Sequence, residues 1–273
     1  MKNKSSAFPY GIWMVIFIVL PLVLVGYFAF TTSEGVPTME NISRVGEFAP
    51  VLMRSIWFAI VATVICLFIG YPLGYLISRG SGSRRRTLLM LIILPMWMNF
   101  LLRTYAWMTL LENNGLINRF LGVFGIGPFE MINTSGAVIL GMVYNYMPFM
   151  ILPLYAVMTK IDSTTLEAAQ DLGSDFVTTF TKVILPLSMP GVKTGIIMVF
   201  VPSVSTFIIS RMLGGGGNLL IGDLIELQFL GNAYNLNLGA AISLVLLVIV
   251  LLCMSLLNQF GNEEEMEGAL LDK

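Results

Sequence analysis

Residues 166–191, LEAAQDLGSDFVTTFTKVILPLSMPG, form a long polar stretch between two segments that are almost wholly apolar. Just before it, Thr164 stands three residues ahead of Glu167, which is the spacing of a capping box that begins a helix. Gly173 is the type of residue that commonly ends a helix with a positive φ, and Asp175 can cap a second helix, which two prolines then end. The stretch therefore predicts two short helices joined at a glycine into a bent, rigid unit.

The composition is that of a membrane protein. The chain is 56% hydrophobic and 11% charged, whereas soluble domains carry roughly 25% charged residues. Several apolar segments are about as long as the roughly 20 residues needed to cross a bilayer. We place them at residues 11–30, 56–77, 88–111, 136–158, 192–209 and 239–257. Because the first lacks a convincing signal-peptide cleavage site, the sequence predicts an all-α polytopic membrane protein with six transmembrane helices.

The distribution of Lys and Arg predicts the orientation of the chain, since cytoplasmic loops retain these residues. Of the 15 Lys and Arg residues, 10 fall on the side that holds both termini and the polar stretch. They are Lys2, Lys4, Arg79, Arg84, Arg85, Arg86, Lys160, Lys182, Lys193 and Lys273. We therefore expect the N-terminus, the C-terminus and residues 166–191 to be cytoplasmic. The net charge of −1 indicates no nucleic-acid partner.

This topology divides the chain into three parts. Residues 1–50 would hold an N-terminal transmembrane helix and an external loop. Residues 51–258 would hold the other five helices, with the coupling loop at 160–190. Residues 259–273 would be a cytoplasmic tail, acidic at positions 263–267 (EEEME). This acidic run does not alter the orientation, because Asp and Glu contribute little to the rule.

The sequence holds no residue set that indicates an enzyme. It contains no His, only 2 Cys, and no serine in a G-x-S-x-G setting. The glycines at 214–217 are not followed by the Lys-Ser/Thr of a phosphate-binding loop. We therefore expect no catalytic residue, no metal site and no cofactor in this chain. If ATP drives the protein, the nucleotide must bind another chain.

One pattern in the polar stretch resembles the cytoplasmic signature of ATP-binding-cassette (ABC) importer permeases of type I. It reads Glu-Ala-Ala, three residues, Gly, nine residues, an aliphatic residue, one residue and Leu-Pro. Its positions here are Glu167, Ala168, Ala169, Gly173, Val183, Leu185 and Pro186. The family more often has Ile where this chain has Val183. The resemblance implies that the loop docks in a groove on a separate ATPase subunit and passes its movement to the membrane helices.

The same resemblance implies partners and a location. A second six-helix permease subunit, expected to be a different chain, would complete the pathway, and two cassette ATPase subunits would hold ATP and Mg. An extracellular or periplasmic substrate-binding protein would deliver the substrate, and membrane lipid would surround the chain in the bacterial inner or plasma membrane. Two alternatives stay open. The chain could be an ion-coupled carrier or channel that needs no ATPase, and the loop could be an interfacial amphipathic hairpin without a partner.

Two further segments are similar to permeases of spermidine/putrescine importers. They are residues 95–111, PMWMNFLLRTYAWMTLL, and residues 207–230, FIISRMLGGGGNLLIGDLIELQFL. Together with the loop, the resemblance covers most of residues 56–257. The loop signature implies an importer permease in general, whereas these two segments carry the implied polyamine substrate.

Carboxylates and aromatic rings are the groups that a polyamine needs, since carboxylates pair with ammonium groups and aromatic faces attract cations. Asp223 and Glu226 are three residues apart and share a face if residues 218–230 are helical. Aromatic candidates interrupt two apolar spans. They are Trp97, Tyr105, Tyr144 and Tyr146. The alternative is that the carboxylates form a solvated face and the aromatic side chains belong to the core or to the interfacial belt.

Arg103 lies within a predicted span, where an ionisable residue is a functional candidate by default. Asn99, Arg103 and Trp107 recur every four residues and so are predicted to share one helix face. A fixed cation is an unusual lining for a route that carries polycations. We therefore expect Arg103 to be structural, paired with an acidic neighbour or stacked on Trp107. A role as a gate stays open, as does an importer for another small solute such as an organic anion.

Overall fold

The computed structural model describes residues 8–231 and 233–271, and within these ranges the all-α prediction is confirmed, apart from an isolated bridge between Thr31 and Pro37. In chain order the helices are α1 (Phe8–Ala29), α2 (Glu40–Val45), α3 (Ala49–Ser78), α4 (Gly82–Trp97), α5 (Phe100–Leu111), α6 (Leu116–Val123), α7 (Ser135–Met158), α8 (Ser163–Asp171), α9 (Phe176–Ser205), α10 (Ile208–Gly214), α11 (Ile221–Leu230) and α12 (Leu236–Leu271). Two of them, α1 and α9, each contain one turn of π-helix.

Five of the described helices are long and apolar enough to cross a membrane, namely α1, α3, α7, α9 and α12. A sixth crossing exists if α4 and the segment Phe100–Val123 count as one broken span, because the two are bent by 94° at the break. The six predicted crossings are thus five continuous helices and one bent pair.

The prediction of one continuous third span at 88–111 is wrong. The helix ends at Trp97, Met98 is extended, and a new helix begins at Phe100. The cause is Asn99, whose side chain accepts hydrogen bonds from the amides of Leu101 and Leu102, at 2.8 and 3.4 Å. An Asn that caps the following amides offers the backbone an alternative to continuing the helix.

The predicted end of the second loop helix at the prolines is also wrong. Helix α9 continues without a break from the loop into the membrane span, with Pro186 and Pro190 inside it. The π turn Phe180–Ile184 lies directly before Pro186. A proline lacks the amide that the regular helical pattern requires, and local π adjustments re-satisfy the freed backbone groups.

A three-helix core of α3, α7 and α9 is built on glycines. An added Cβ at Gly70 of α3 would come within 2.9 Å of the Met150 side chain, and one at Gly74 within 3.1 Å of Leu154. On the other side, an added Cβ at Gly191 of α9 would come within 3.0 Å of a backbone oxygen of α7, and one at Gly195 within 2.6 Å of Met150. Two Gly-x-x-x-Gly faces thus clasp α7, which is how membrane helices achieve close contact.

A second apolar cluster joins α12 to the rest of the chain. Ala240, Ala241 and Ile242 are buried there together with Ala29 at the end of α1 and Phe200 of α9. Most of α1 makes no such contact, and its side chains along Phe8–Ala29 are almost all exposed. The helix therefore offers an apolar surface to lipid or to another subunit.

The predicted acidic tail 259–273 begins as a continuation of α12, whose backbone is helical as far as Leu271. Its carboxylate side chains lie outside the described residues. The same holds for Lys2, Lys4 and Lys273, on which part of the predicted orientation rests.

Candidate functional site

The predicted bent loop is present, with one difference in how it begins. Helix α8 starts at Ser163, with Asp162 in the cap position and no side-chain cap hydrogen bond, so the capping box predicted from Thr164 and Glu167 does not form. The chain then turns at Gly173, whose φ is +83°. L side chains rarely adopt this left-handed conformation, so glycine is needed here for the backbone and not for space.

Helix α9 has the predicted cap. The Asp175 carboxylate accepts a hydrogen bond from the amide of Thr178 at 3.0 Å. Hydrogen bonds from the hydroxyl and the amide of Thr178 lower the pKa of Asp175 below its usual value. A charged cap at this point also favours the positive end of the helix dipole, which fixes the direction in which α9 leaves the bend.

The surface at the bend suits a docking partner. Glu167, Ala168 and Gly173 are exposed, whereas Ala169 is half-buried. Large apolar side chains beside them also face outward, with exposed fractions of 90% for Leu172, 67% for Phe176 and 63% for Val177. Several exposed apolar side chains close in sequence on a polar loop are a feature that interaction sites share. We call these residues the bend surface.

The last two signature residues do not belong to the bend surface. Leu185 is half-buried and Pro186 exposed, and both lie within α9 after its π turn. Val183, inside the π turn, is half-buried. The signature therefore spans two structural units: its first part forms the bend, and its last part begins the regular portion of α9.

Arg103 is buried in α5 and has partners other than those predicted. Its Nη1 donates to the carbonyl of Pro95 at 2.8 Å, and its guanidinium lies 5.9 Å from the ring centroid of Phe100. The side chain thus links the two sides of the break between α4 and α5. Trp107 instead packs edge-on against Tyr144, with ring centroids 5.3 Å apart. The predicted common face of Asn99, Arg103 and Trp107 is wrong, because Asn99 precedes the helix as its cap.

The aromatic candidates occupy two different environments. Trp97 and Tyr105 are exposed, at 86% and 53%. Tyr144 is half-buried, and Tyr146 is buried with its hydroxyl 3.3 Å from the carbonyl oxygen of Pro202. Within this chain the four rings therefore do not line one continuous surface.

The two acidic candidates, on α11, are both engaged within the chain. Asp223 is fully buried, and its Oδ2 accepts hydrogen bonds from the Ser210 hydroxyl at 2.6 Å and from the Leu220 amide at 2.8 Å. Burial raises the pKa of Asp223, an effect that the Ser210 hydrogen bond opposes. Glu226 forms a two-pronged ion pair with Arg211. Ser210 and Arg211, the partners of these carboxylates, were not predicted from the sequence, although both lie in the segment 207–230.

The structure also contains a polar cavity of about 600 Å³ that the sequence did not predict. It lies where the end of α1 meets the start of α12, and its lining includes Tyr27, Glu40, Tyr234 and Asn237. The Asn237 amide holds the rim by donating to the carbonyls of Phe28 and Thr31. These residues are some 200 positions apart, so no local pattern indicated that they meet. Among the described residues, no cluster of His, Cys, Asp and Glu could hold a metal ion.

The chain is thus a multi-pass helical protein with a bent, exposed loop between two of its membrane helices. Residues 70–260 match the family described as the binding-protein-dependent transport system inner membrane component, and the chain belongs to this family. It is therefore a multi-pass protein of the bacterial inner membrane and a transport subunit, not an enzyme, as the sequence predicted.

The relatives agree with this family. The chain is 38% identical over 248 residues to the spermidine/putrescine transport system permease protein PotB of Escherichia coli strain K12, covering 87% of this chain and 90% of PotB. The predicted resemblance to permeases of polyamine importers is thereby confirmed. Among solved structures, a bacterial ABC transporter for import of the acidic polysaccharide alginate aligns with a TM-score of 0.75 at 17% identity, covering 95% of this chain and 94% of that one.

A second alginate transporter structure includes its partner outside the membrane. This complex with an alginate pentasaccharide-bound periplasmic protein aligns with a TM-score of 0.74 at 16% identity, covering 95% of this chain and 93% of that one. At such identities the two structures show that the fold is shared, and nothing about the substrate.

Proposed function

We propose that this chain is the permease subunit of an ABC importer for polyamines, spermidine or putrescine. The observation that carries the proposal is the 38% identity to a spermidine/putrescine permease along nearly the whole chain. The exposed bend surface also supports the proposal. A transport subunit that does not bind ATP itself needs a surface on which an ATPase subunit can dock. ATP and Mg would bind that partner.

The proposal orients the chain with both termini and the bend surface in the cytoplasm. It assigns ATPase coupling to Glu167, Ala168, Ala169 and Gly173 on the bend and to Leu185 and Pro186 on α9. Small residues at 168 and 169 allow a close approach, and the Glu167 carboxylate is open to a basic partner. Two ATPase subunits, a second permease and an external substrate-binding protein complete the importer. The exposed length of α1 is one surface available to the second permease.

The structural contacts of Arg103 favour a polyamine over an organic anion. Its side chain is buried, and its Nη1 donates a hydrogen bond to the carbonyl of Pro95. A cation held in this way bridges the break between α4 and α5, and its charge does not face an open transport pathway. Among the path candidates, Trp97 and Tyr105 project from the surface and are suited to face a second permease. Tyr144, Tyr146, Asp223 and Glu226 have partners inside the chain and would act from behind that surface.

Reconstitution tests the proposed function. The chain is placed in liposomes with its neighbouring-gene ATPase, second permease and loaded binding protein, and uptake of labelled spermidine is measured with and without ATP. We expect uptake only when ATP and all components are present. Uptake that persists without the ATPase contradicts the importer and supports an ion-coupled carrier. Uptake of an organic anion with no uptake of spermidine contradicts the substrate class alone.

A further inference from the structure

The C-terminal part of helix α3 contacts both ends of the loop that connects α7 to the membrane-spanning part of α9. At the entry, Arg79 directly follows α3, and its Nη1 donates to the carbonyl of Ile161 at 3.1 Å. Ile161 is itself buried two residues before α8. The guanidinium also lies 5.7 Å from the ring centroid of Tyr75, one turn earlier in α3. The entry to the loop is therefore held by the end of α3.

The exit from the loop is held by the same helix. The hydroxyl of Tyr71 lies 2.7 Å from the hydroxyl of Ser188 in α9. Ser188 donates its own proton to the carbonyl of Leu185 at 3.0 Å, so Tyr71 is the donor in the contact between helices. The Tyr71 ring also meets Phe180 edge-on, with centroids 5.5 Å apart. Phe180 is the first residue of the π turn, on the loop side of Pro186.

These two attachments lie eight residues apart on α3, which is roughly 12 Å of helix rise. Between them Gly74 packs closely against α7, where an added Cβ would come within 3.1 Å of the Leu154 side chain. A displacement of the bend surface would therefore act on α3 through Tyr71 and Arg79, and on α7 through the contact between Gly74 and Leu154. Closely packed helices move as discrete units and do not deform smoothly.

Arg79 also has hydrogen-bond donors that are not used in the described structure. Its Nε and Nη2 are buried and have no hydrogen-bond partner among the described residues, although Nη1 is bonded. A guanidinium has five N–H donors in a fixed fork. The unused donors can engage other carbonyls at the loop entry when the loop shifts, so one side chain can serve two positions of the loop.

We propose that Tyr71 and Arg79 are positioning residues that carry the movement of the loop into α3. The proposal rests on the proposed function, since it needs an ATPase at the bend surface. It differs from that function in placing the transmission step in a helix outside the signature. In this proposal the two residues act through their contacts with the loop and with α9, and not by binding substrate or nucleotide.

Two conservative variants test the proposal in the complete reconstituted importer. Arg79→Gln removes the charge and the fork, and Tyr71→Phe removes one hydroxyl while Ser188 keeps its bond to Leu185. We expect each variant to retain ATPase binding and substrate-stimulated hydrolysis, while spermidine taken up per ATP falls about fivefold or more, the size of a typical coupling between sites. Arg79→Lys should recover part of the loss, because it restores one donor.

Matched controls separate coupling from a general loss of stability. Arg84→Gln removes an exposed cation in α4, and Tyr234→Phe removes an exposed hydroxyl between α11 and α12. Both should leave uptake per ATP unchanged. Wild-type coupling in Arg79→Gln and Tyr71→Phe overturns the proposal, and so does a parallel loss of hydrolysis and uptake. If the wild-type complex itself shows no ATP-driven uptake, the proposed function fails and not the transmission step.

Discussion

At the scale of single residues, Gly173 and Arg103 show two ways in which backbone geometry decides the role of a residue. Gly173 sits at φ +83° in open space, so its importance is conformational. Arg103 is buried in one half of a bent helix pair, yet its charge is directed to the Pro95 carbonyl, which also accepts from the Met98 amide at the end of α4. Carbonyls at helix C-termini carry the negative end of the helix dipole, and a buried cation is stabilised there without an acidic partner.

Replacement of Gly173 by Val should uncouple hydrolysis from uptake. The left-handed conformation costs an L residue about 1–2 kcal/mol, and a β-branched side chain would rather change the bend than accept the strain. We expect the complex to insert and assemble, with less spermidine taken up per ATP. Gly173→Asn, which visits this conformation more readily, should retain more coupling.

Gly82→Val is the matched control, because Gly82 also has open space around it but has no positive φ. It should leave the uptake per ATP at the wild-type level. If Gly173→Val takes up as much spermidine per ATP as the wild type, the bend has no role in coupling to the ATPase.

At the scale of helices, close glycine contacts decide how tightly α7 is held. Substitution at Gly191 is opposed by backbone atoms of α7, including the Pro153 carbonyl at 3.0 Å and the Leu154 Cα at 3.2 Å. At Gly195 the nearest obstacle is instead the flexible end of Met150. The two positions look alike in sequence and differ in what surrounds them.

Gly191→Ala should therefore destabilise the protein by about 1–3 kcal/mol, the usual cost of overpacking. Thermal unfolding of the purified chain in detergent measures the change. The matched control is Gly26→Ala in α1, where an added Cβ meets nothing within 4 Å, and it should leave the midpoint unchanged. Equal effects at the two positions would show that α7 is not clasped as described.

Helix identity was more predictable than helix continuity. The bend at Gly173 and the cap at Asp175 follow from residues close in sequence, and both are present. Asn99 was assigned to a helix face by its spacing, but its side chain bonds the following amides and stops the helix. The attachment of Arg79 to Ile161 joins residues 82 positions apart, and no periodic pattern contains that information. The burial of Asp223 could not be predicted for the same reason, since its depth depends on α11 packing against other helices.

At the scale of the whole molecule, the side on which each loop lies can be tested directly. In a Cys66→Ala, Cys253→Ala background, single cysteines are placed at the exposed positions Ser33 and Ser83. A membrane-impermeant maleimide is then applied to right-side-out vesicles. We expect Ser33→Cys to react at once and Ser83→Cys only after permeabilisation. The reverse pattern would place the bend surface outside the cell and contradict ATPase coupling there.

Two helices, α3 and α9, are each 30 residues long. At 1.5 Å per residue they extend about 45 Å, whereas the hydrocarbon core of a bilayer is about 30 Å thick. Tilt takes up part of this difference, and the remainder lifts the helix ends beyond the acyl chains. An excess length at the N-terminal end of α9 would carry α8 and the bend surface beyond the acyl chains, where a water-soluble protein could contact them.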